Sequence, residues 1–400
     1  MNIVFVGLSG VPYARRAIDT RLLSFANLFT SSNHDVVILN RYSALKPNWE
    51  YDAQFIDDRV SVIELCNLKG IPKCMSKFLL IYTIIIEFWK LIFLNKKKKI
   101  DVLHVASGHF IDIFYYVIIA RCIGAKVVYH YCEYRSSFKS RNVYHRINGK
   151  LINCYAPKFW DGAICISHFL VSKTKEVNKF IKIIQIPPIC DYDYFDHIIC
   201  EKEASPYLLF CGYTSYSEII YMIIDAYNKS RIKEVASLKM VINGNPVVIS
   251  EIRRYCPKME ILQNLKYTDL ISMFKGALAL FIPLRNTIQD IARFPNKICE
   301  YTACHGVVVT TRYGEIPYYF EDKINALIAD DFNVASIAEQ LDWLYDNMDQ
   351  TARIKKNSYL LGRRVFNLTY IIHSGFISGY QNRYGDNLKP PTNVYHRMTA

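Results

Sequence analysis

The run Asp101-Val102-Leu103-His104-Val105, a helical pattern near 113–122, and then Lys126-Val127-Val128-Tyr129-His130 decides the fold. Short apolar runs bounded by polar residues read as buried strands, and a helix between two of them implies a parallel sheet covered on both faces. The same alternation extends outward. Upstream lie an apolar strand at 3–6, a glycine-containing loop, a helical pattern over 19–29 and a strand at 36–39. Downstream, residues 162–166 and 183–186 read as further strands.

Pro187-Pro188 interrupts this pattern, and the stretch up to Pro206 is polar and acid-rich. A second run begins with a strand at 207–211 that ends in Gly212. A helix near 218–227 follows, then a strand at 239–243 ending at Gly244 and a short apolar segment at 259–262. Thr268 reads as the N-cap of the next helix. Strands at 278–282, 307–310 and 326–328, a helix over 294–303 and helical patterns from 334 onward complete the run.

The expected fold class is therefore α/β, two Rossmann-like doubly wound domains facing a cleft. Residues 1–188 form an N-terminal domain, 189–206 a linker and 207–370 a C-terminal domain. Residues 371–400 form a terminal helix and tail packing back on the first domain. Ligands of such sheets bind beyond the carboxyl ends of the strands.

Composition narrows the function. A chain of 400 residues, half of them hydrophobic, buries a large core. Residues 1–200 hold 26 Lys and Arg against 16 Asp and Glu, so most of the net charge of +13 lies in the first half. A basic half fits phosphate-bearing substrates or an anionic membrane face. No zinc finger or RNP-type motif accompanies it, so nucleic acid is not an expected partner. The twelve cysteines form no CxxC pair and the ten histidines show no ligand spacing. The expectation is reduced thiols and no metal site. The opening residues lack the basic leader and long apolar run of a signal peptide. The segment 78–94 is almost wholly apolar, interrupted by Glu87 and Lys90 and followed by Lys96 to Lys99. It reads as a helix packed on the sheet or lying at a membrane interface.

Two stretches invite chemistry. In the first loop, Gly7, Ser9 and Gly10 let backbone approach a ligand. The loop lacks the third glycine of a dinucleotide fingerprint, and Asn40-Arg41 stands where such a site wants an acid. Arg15 and its neighbours could meet a pyrophosphate-linked acceptor or simply face solvent. The second stretch is Phe294-Pro295-Asn296-Lys297-Ile298-Cys299-Glu300-Tyr301. Pro295 suits a first helical turn. Lys297 and Glu300, three apart, share one side of a helix. A cation for phosphates and a carboxylate for ribose hydroxyls at a helix start suit a nucleoside diphosphate.

In order along the chain, these motifs resemble glycosyltransferase family 4 and related GT-B enzymes of bacterial surface-polysaccharide assembly. The resemblance runs from the first glycine loop through Asp161-Gly162-Ala163-Ile164-Cys165-Ile166-Ser167, Phe210-Cys211-Gly212 and the 294–301 stretch to Gly314-Glu315-Ile316-Pro317. It implies that Glu300 holds the nucleotide ribose. It also implies that Gly314 lies near the donor phosphates and sugar, and that Gly212 and Gly244 line the nucleotide pocket. Two departures stand out. Ala292 occupies the place of the family's first glutamate, and Cys132 that of a histidine followed by an acid. Glu133 keeps that acid and is the expected catalytic carboxylate. Arg285, Arg293, Asn296 and Lys297 are the donor-binding candidates around the motif.

The resulting expectation is a cytoplasmic, membrane-peripheral glycosyltransferase. It would use a nucleotide sugar as co-substrate, no metal or other cofactor, and a lipid-linked glycan acceptor. An epimerase-like GT-B enzyme and a non-catalytic GT-B subunit are the alternatives.

Overall fold

The computed structural model describes residues 1–11, 17–42, 57–67, 76–137, 142–200 and 205–369. It divides into two units, Met1–Ile186, to which the chain returns at Leu368, and Pro187–Asn367. The expected segment 371–400 lies outside the described residues.

The first unit runs β1 (Asn2–Leu8), α1 (Ala17–Thr30), β2 (Asp35–Tyr42), β3 (Val60–Cys66), α2 (Ser76–Lys97), β4 (Val102–Val105), α3 (Phe110–Ile123), β5 (Lys126–Tyr131), α4 (Val143–Cys154), β6 (Gly162–Cys165), α5 (His168–Val177) and β7 (Lys182–Gln185). Its strands pair in parallel in the order β3-β2-β1-β4-β5-β6-β7. The order reverses between β1 and β4, which makes their carboxyl ends a topological switch point.

Alternation along the central strands explains the two covered faces. On one face, His104 of β4 and His130 of β5 meet Phe25 of α1 with ring centroids 6.0 and 5.1 Å away. Arg21 of α1 donates to His130 Nε2 at 2.9 Å and to the Ile186 carbonyl at 2.7 Å. Burial, and then Arg21, lowers His104 to a pKa of about 3, so its imidazole is neutral in the core. On the other face, Tyr129 and Tyr131 pack against Trp160, and α3 and α2 lie side by side.

The second unit runs α6 (Tyr192–His197), β8 (Tyr207–Tyr213), α7 (Ser217–Lys229), β9 (Ser237–Asn243), α8 (Pro246–Tyr255), β10 (Glu260–Leu262), α9 (Tyr267–Gly276), β11 (Ala279–Phe281), α10 (Ile288–Ala292), α11 (Lys297–Ala303), β12 (Val308–Thr311), α12 (Ile316–Tyr319), β13 (Leu327–Ala329), α13 (Val334–Asp346) and α14 (Thr351–Val365). The parallel order is β10-β9-β8-β11-β12-β13, with its switch point between β8 and β11.

Four sequence expectations differ from the structure. Residues 189–200 are not a free linker. Asp191 caps α6, Tyr192 and Phe195 are buried, and the Cys190 amide donates to the Phe366 carbonyl at 3.0 Å. The acidic composition of this stretch hides its apolar face. Thr268 does not cap α9, because that helix begins two residues earlier, at Tyr267, with Lys266 at the cap position and no capping side chain. The helix of the 294–301 stretch begins at Lys297 rather than at Pro295. The edge strand β3 has no counterpart in the sequence reading, because most of its residues are partly exposed and carry no clean apolar run.

Candidate functional site

In the second unit, the motif helix α11 sits at the switch point. Its position is fixed from below. Phe294 stacks on Tyr319 at 5.2 Å and meets Phe366 edge-on at 5.7 Å. Thr302 shares a 2.6 Å hydrogen bond with the Tyr192 hydroxyl. Gly362 of α14 faces this pair, and a Cβ there would lie 2.0 Å from the Tyr192 hydroxyl oxygen. Only a glycine lets α14 come this close to α11.

With Ile298, Cys299 and Tyr301 buried, Lys297 and Glu300 are left partly exposed. Both lie within electrostatic reach of Cys211, at the carboxyl end of β8. Burial disfavours the Lys297 ammonium, but Cys211 and then Glu300 more than offset this, so its pKa stands above that of an ordinary lysine. Among the described residues Lys297 has no ion pair or hydrogen bond. Burial pushes the Glu300 carboxyl upward, and Lys297 and a 3.2 Å hydrogen bond from the Tyr267 hydroxyl pull it back only in part. The site thus pairs an uncommitted cation with a carboxylate that has acceptor capacity left.

The neighbouring loops close around the same strand ends. Gly244 has φ of +128°, and a Cβ on it would lie 2.2 Å from Thr214 Oγ1. The same hydroxyl accepts from the Asn245 amide at 3.0 Å, which locks the loop after β9 to the one after β8. A Cβ on Gly212 would press on the Phe210 ring at 2.7 Å. Gly314, at φ +62°, packs its backbone on Asp290 and Ile291 of α10.

Arg285 and Arg293 are placed differently from what the sequence suggests. Asp290, fully buried, accepts from Arg285 Nε at 2.8 Å and from Arg293 Nη2. Arg285 Nη1 also reaches Glu218 at 3.0 Å, and Arg293 Nη1 donates to the Tyr216 hydroxyl at 2.8 Å. Two carboxylates therefore balance two guanidiniums. Asn296 holds the cap position of α11 without a capping side chain. The amides of Ile298 and Cys299 donate to the carbonyls of Pro295 and Asn296 at 3.1 and 3.2 Å. Two amides of this helix start are consequently already engaged within the turn.

In the first unit, Gly7 and Gly10 have φ of +80° and +69°. Asn40 fastens their loop by accepting from the Val11 amide at 3.1 Å and donating to its carbonyl at 2.6 Å. A Cβ on Gly7 would lie 3.0 Å from Ser107 Cβ, so the loops after β1 and β4 touch. Ser9 lies in this loop, whereas Arg15 falls outside the described residues. Glu133, just beyond β5, is partly exposed and pairs with Arg135 at 3.3 Å. The Arg135 guanidinium lies flat against Gly108, where a Cβ would sit 2.9 Å from it. Glu133 is thereby held on the carboxyl side of the sheet, close to the loop after β4.

Beneath these loops runs a buried network that sequence reasoning missed. The Gly7 amide donates to the Tyr116 hydroxyl at 3.0 Å, and that hydroxyl donates to Glu87 at 2.7 Å. Arg41 donates to Glu87 at 2.7 Å and to Asp112 at 2.8 Å, and Ser107 donates to Asp112 at 3.0 Å. The one available signal was a lone glutamate within the apolar 78–94 segment. Among the described residues, no group of three or more His, Cys, Asp or Glu side chains is placed to hold a metal ion.

Residues 196–361 match the family of glycosyl transferases group 1. The second unit is a group 1 glycosyl transferase domain. That match contains α11, Lys297, Glu300, Gly212, Gly244 and Gly314. No curated protein matches the sequence. Solved structures match nearly the whole chain. Sucrose-phosphate synthase from Thermosynechococcus elongatus superposes with a TM-score of 0.72 at 12% identity, over 95% of this chain and 98% of that one. HepE of Anabaena, solved with UDP and glucose, gives 0.66 at 12% identity over 94% and 99%. A glycosyltransferase from Rickettsia africae gives 0.70 at 16% identity over 96% and 99%. At such identities the likeness establishes the fold alone, two Rossmann-like domains as in GT-B structures. The group 1 domain carries the glycosyltransferase assignment.

Proposed function

We propose that this protein transfers a sugar from a nucleoside diphosphate donor to a hydroxyl of a lipid-linked oligosaccharide or polysaccharide precursor. It works in the cytoplasm, at the inner face of the plasma membrane. The observation that carries this reading is the placement of Lys297 and Glu300 together at the end of β8, within the group 1 domain. Glu300 accepts hydrogen bonds from the ribose hydroxyls. Lys297 faces the diphosphate, with the backbone at Gly212, Gly244 and Gly314 giving it room. Since the Anabaena relative was solved with UDP, uridine is the first base to test.

In the reaction, the acceptor hydroxyl loses its proton to Glu133 as its oxygen bonds to the anomeric carbon. The bond from that carbon to the diphosphate oxygen breaks, and its electron pair leaves with the nucleoside diphosphate. Lys297 compensates the charge that develops there, so the reading needs no metal ion or other cofactor. Arg285 and Arg293 act through Asp290 to shape the loop beside the donor.

The test is product analysis with a panel of nucleotide sugars and a lipid extract as acceptor. Transfer to lipid, with release of nucleoside diphosphate, is expected. Conversion of donor without acceptor would indicate an epimerase. Neither transfer nor donor turnover in folded protein would refute catalysis.

A further inference from the structure

The helix α2 has a buried side and an exposed apolar side. One side buries Thr83, Glu87 and Leu91 against the sheet. The other exposes Ile81, Ile85, Trp89 and Phe93, four residues apart and therefore on one stripe, with Trp89 64% exposed. No described helix is long and apolar enough to cross a membrane. The stripe also has a neighbour. The Tyr115 hydroxyl donates to the Ile84 carbonyl at 2.7 Å, which sets α3 beside α2, and α3 exposes Ile111, Phe114 and Ile118. Phe114 meets Phe159 edge-on at 5.6 Å, so the apolar surface continues past α4. Contiguous exposed surface of this kind marks an interaction site.

Charge selects the partner. Lys90 and Lys97 hold their ammonium groups over the Phe93 ring at 5.9 and 4.6 Å, and Lys158 lies over Tyr155 at 5.6 Å. Lys96 and Lys99 are exposed beside them. The nearby carboxylates are already engaged, Glu87 and Asp112 by Arg41 and Asp161 by Arg121. A second copy of the chain would set lysines against lysines, because an isologous contact pairs a patch with itself. We propose that the face formed by α2 and α3 lies in the interfacial layer of an anionic phospholipid bilayer. The aromatic rings sit at headgroup depth and the lysines reach the lipid phosphates. This deepens the proposed membrane partner by naming the surface that meets it.

The experiment is vesicle flotation of the full chain, with phosphatidylcholine alone and with added phosphatidylglycerol. Binding is expected only with the anionic lipid, and high salt should weaken it. The double change Ile85→Ser with Trp89→Ser should lower partitioning at least about tenfold. Each lysine neutralised in Lys96→Gln and Lys97→Gln should lower it about fivefold. Brominated lipid should quench wild-type tryptophan fluorescence, and Trp89→Phe, a conservative change, should abolish most of that quenching. UDP affinity, measured in parallel, should not change, which separates this proposal from the donor-site reading. Equal partitioning of wild type and the apolar variant would overturn the proposal. So would absence of anionic-vesicle binding, or a dimer in sedimentation that the same substitutions dissolve.

Discussion

Replacing Glu300 with alanine isolates the nucleoside half of the donor site. The carboxylate is partly exposed, and its protein hydrogen bond is the 3.2 Å contact from Tyr267. A hydrogen bond to a charged group is worth about 1.5–3 kcal/mol. Loss of one ribose contact therefore weakens nucleotide binding by roughly 10- to 150-fold. The cost to folding is smaller. The Tyr267 hydroxyl loses a long hydrogen bond to that carboxylate, at the low end of the same range, about 1.5 kcal/mol. The melting temperature should consequently move by only a few degrees while affinity collapses. Isothermal titration with UDP and UMP is the assay. Glu300→Ala should weaken both nucleotides alike, because both carry the ribose, whereas Lys297→Met should weaken UDP more than UMP. Acidity supplies a second reading. Burial raises the Glu300 pKa, so acidification protonates it earlier than an ordinary glutamate and removes an acceptor. Affinity should fall as the pH drops, and Glu300→Gln should lack this component. An unchanged UDP affinity in folded Glu300→Ala would refute the assignment.

Two further substitutions separate chemistry from scaffold. Glu133→Gln should slow transfer by about 10²- to 10⁴-fold while leaving UDP affinity unchanged, read from initial rates and titration; unaltered rates would remove Glu133 from catalysis. Glu87→Leu leaves the buried Arg41 guanidinium with Asp112 alone and takes away the acceptor of the Tyr116 hydroxyl proton. Chemical denaturation should show a loss of about 3–5 kcal/mol, and a loss below about 1 kcal/mol would mean that the network contributes little.

Much of the fold was legible because central parallel strands are buried on both faces and read as unbroken apolar runs. β4, at Val102–Val105, is fully buried and falls within the run 101–105. Local helix boundaries were less legible. Pro295 is a good first-turn residue, yet the chain turns through Pro295 and Asn296 because Phe294 is anchored among Tyr319 and Phe366. Those rings are distant in sequence, so no local pattern announces them. Asp290 is different: its partners Arg285 and Arg293 lie five and three residues away, but its full burial between them depends on how α10 folds back.

What the sequence determined by itself was the alternation of strands and helices, the two-part organisation, and the Lys297–Glu300 pair three residues apart. Periodicity and short-range spacing carry that information. Tertiary structure decided which charges stay uncommitted. It tied Arg285 and Arg293 to Asp290, left Lys297 without an ion pair among the described residues, and buried Glu87 against Arg41. Arg41 and Glu87 are 46 residues apart, and even the near neighbours Arg285, Asp290 and Arg293 depend on the fold to bury the carboxylate between them, where water screens the charges least.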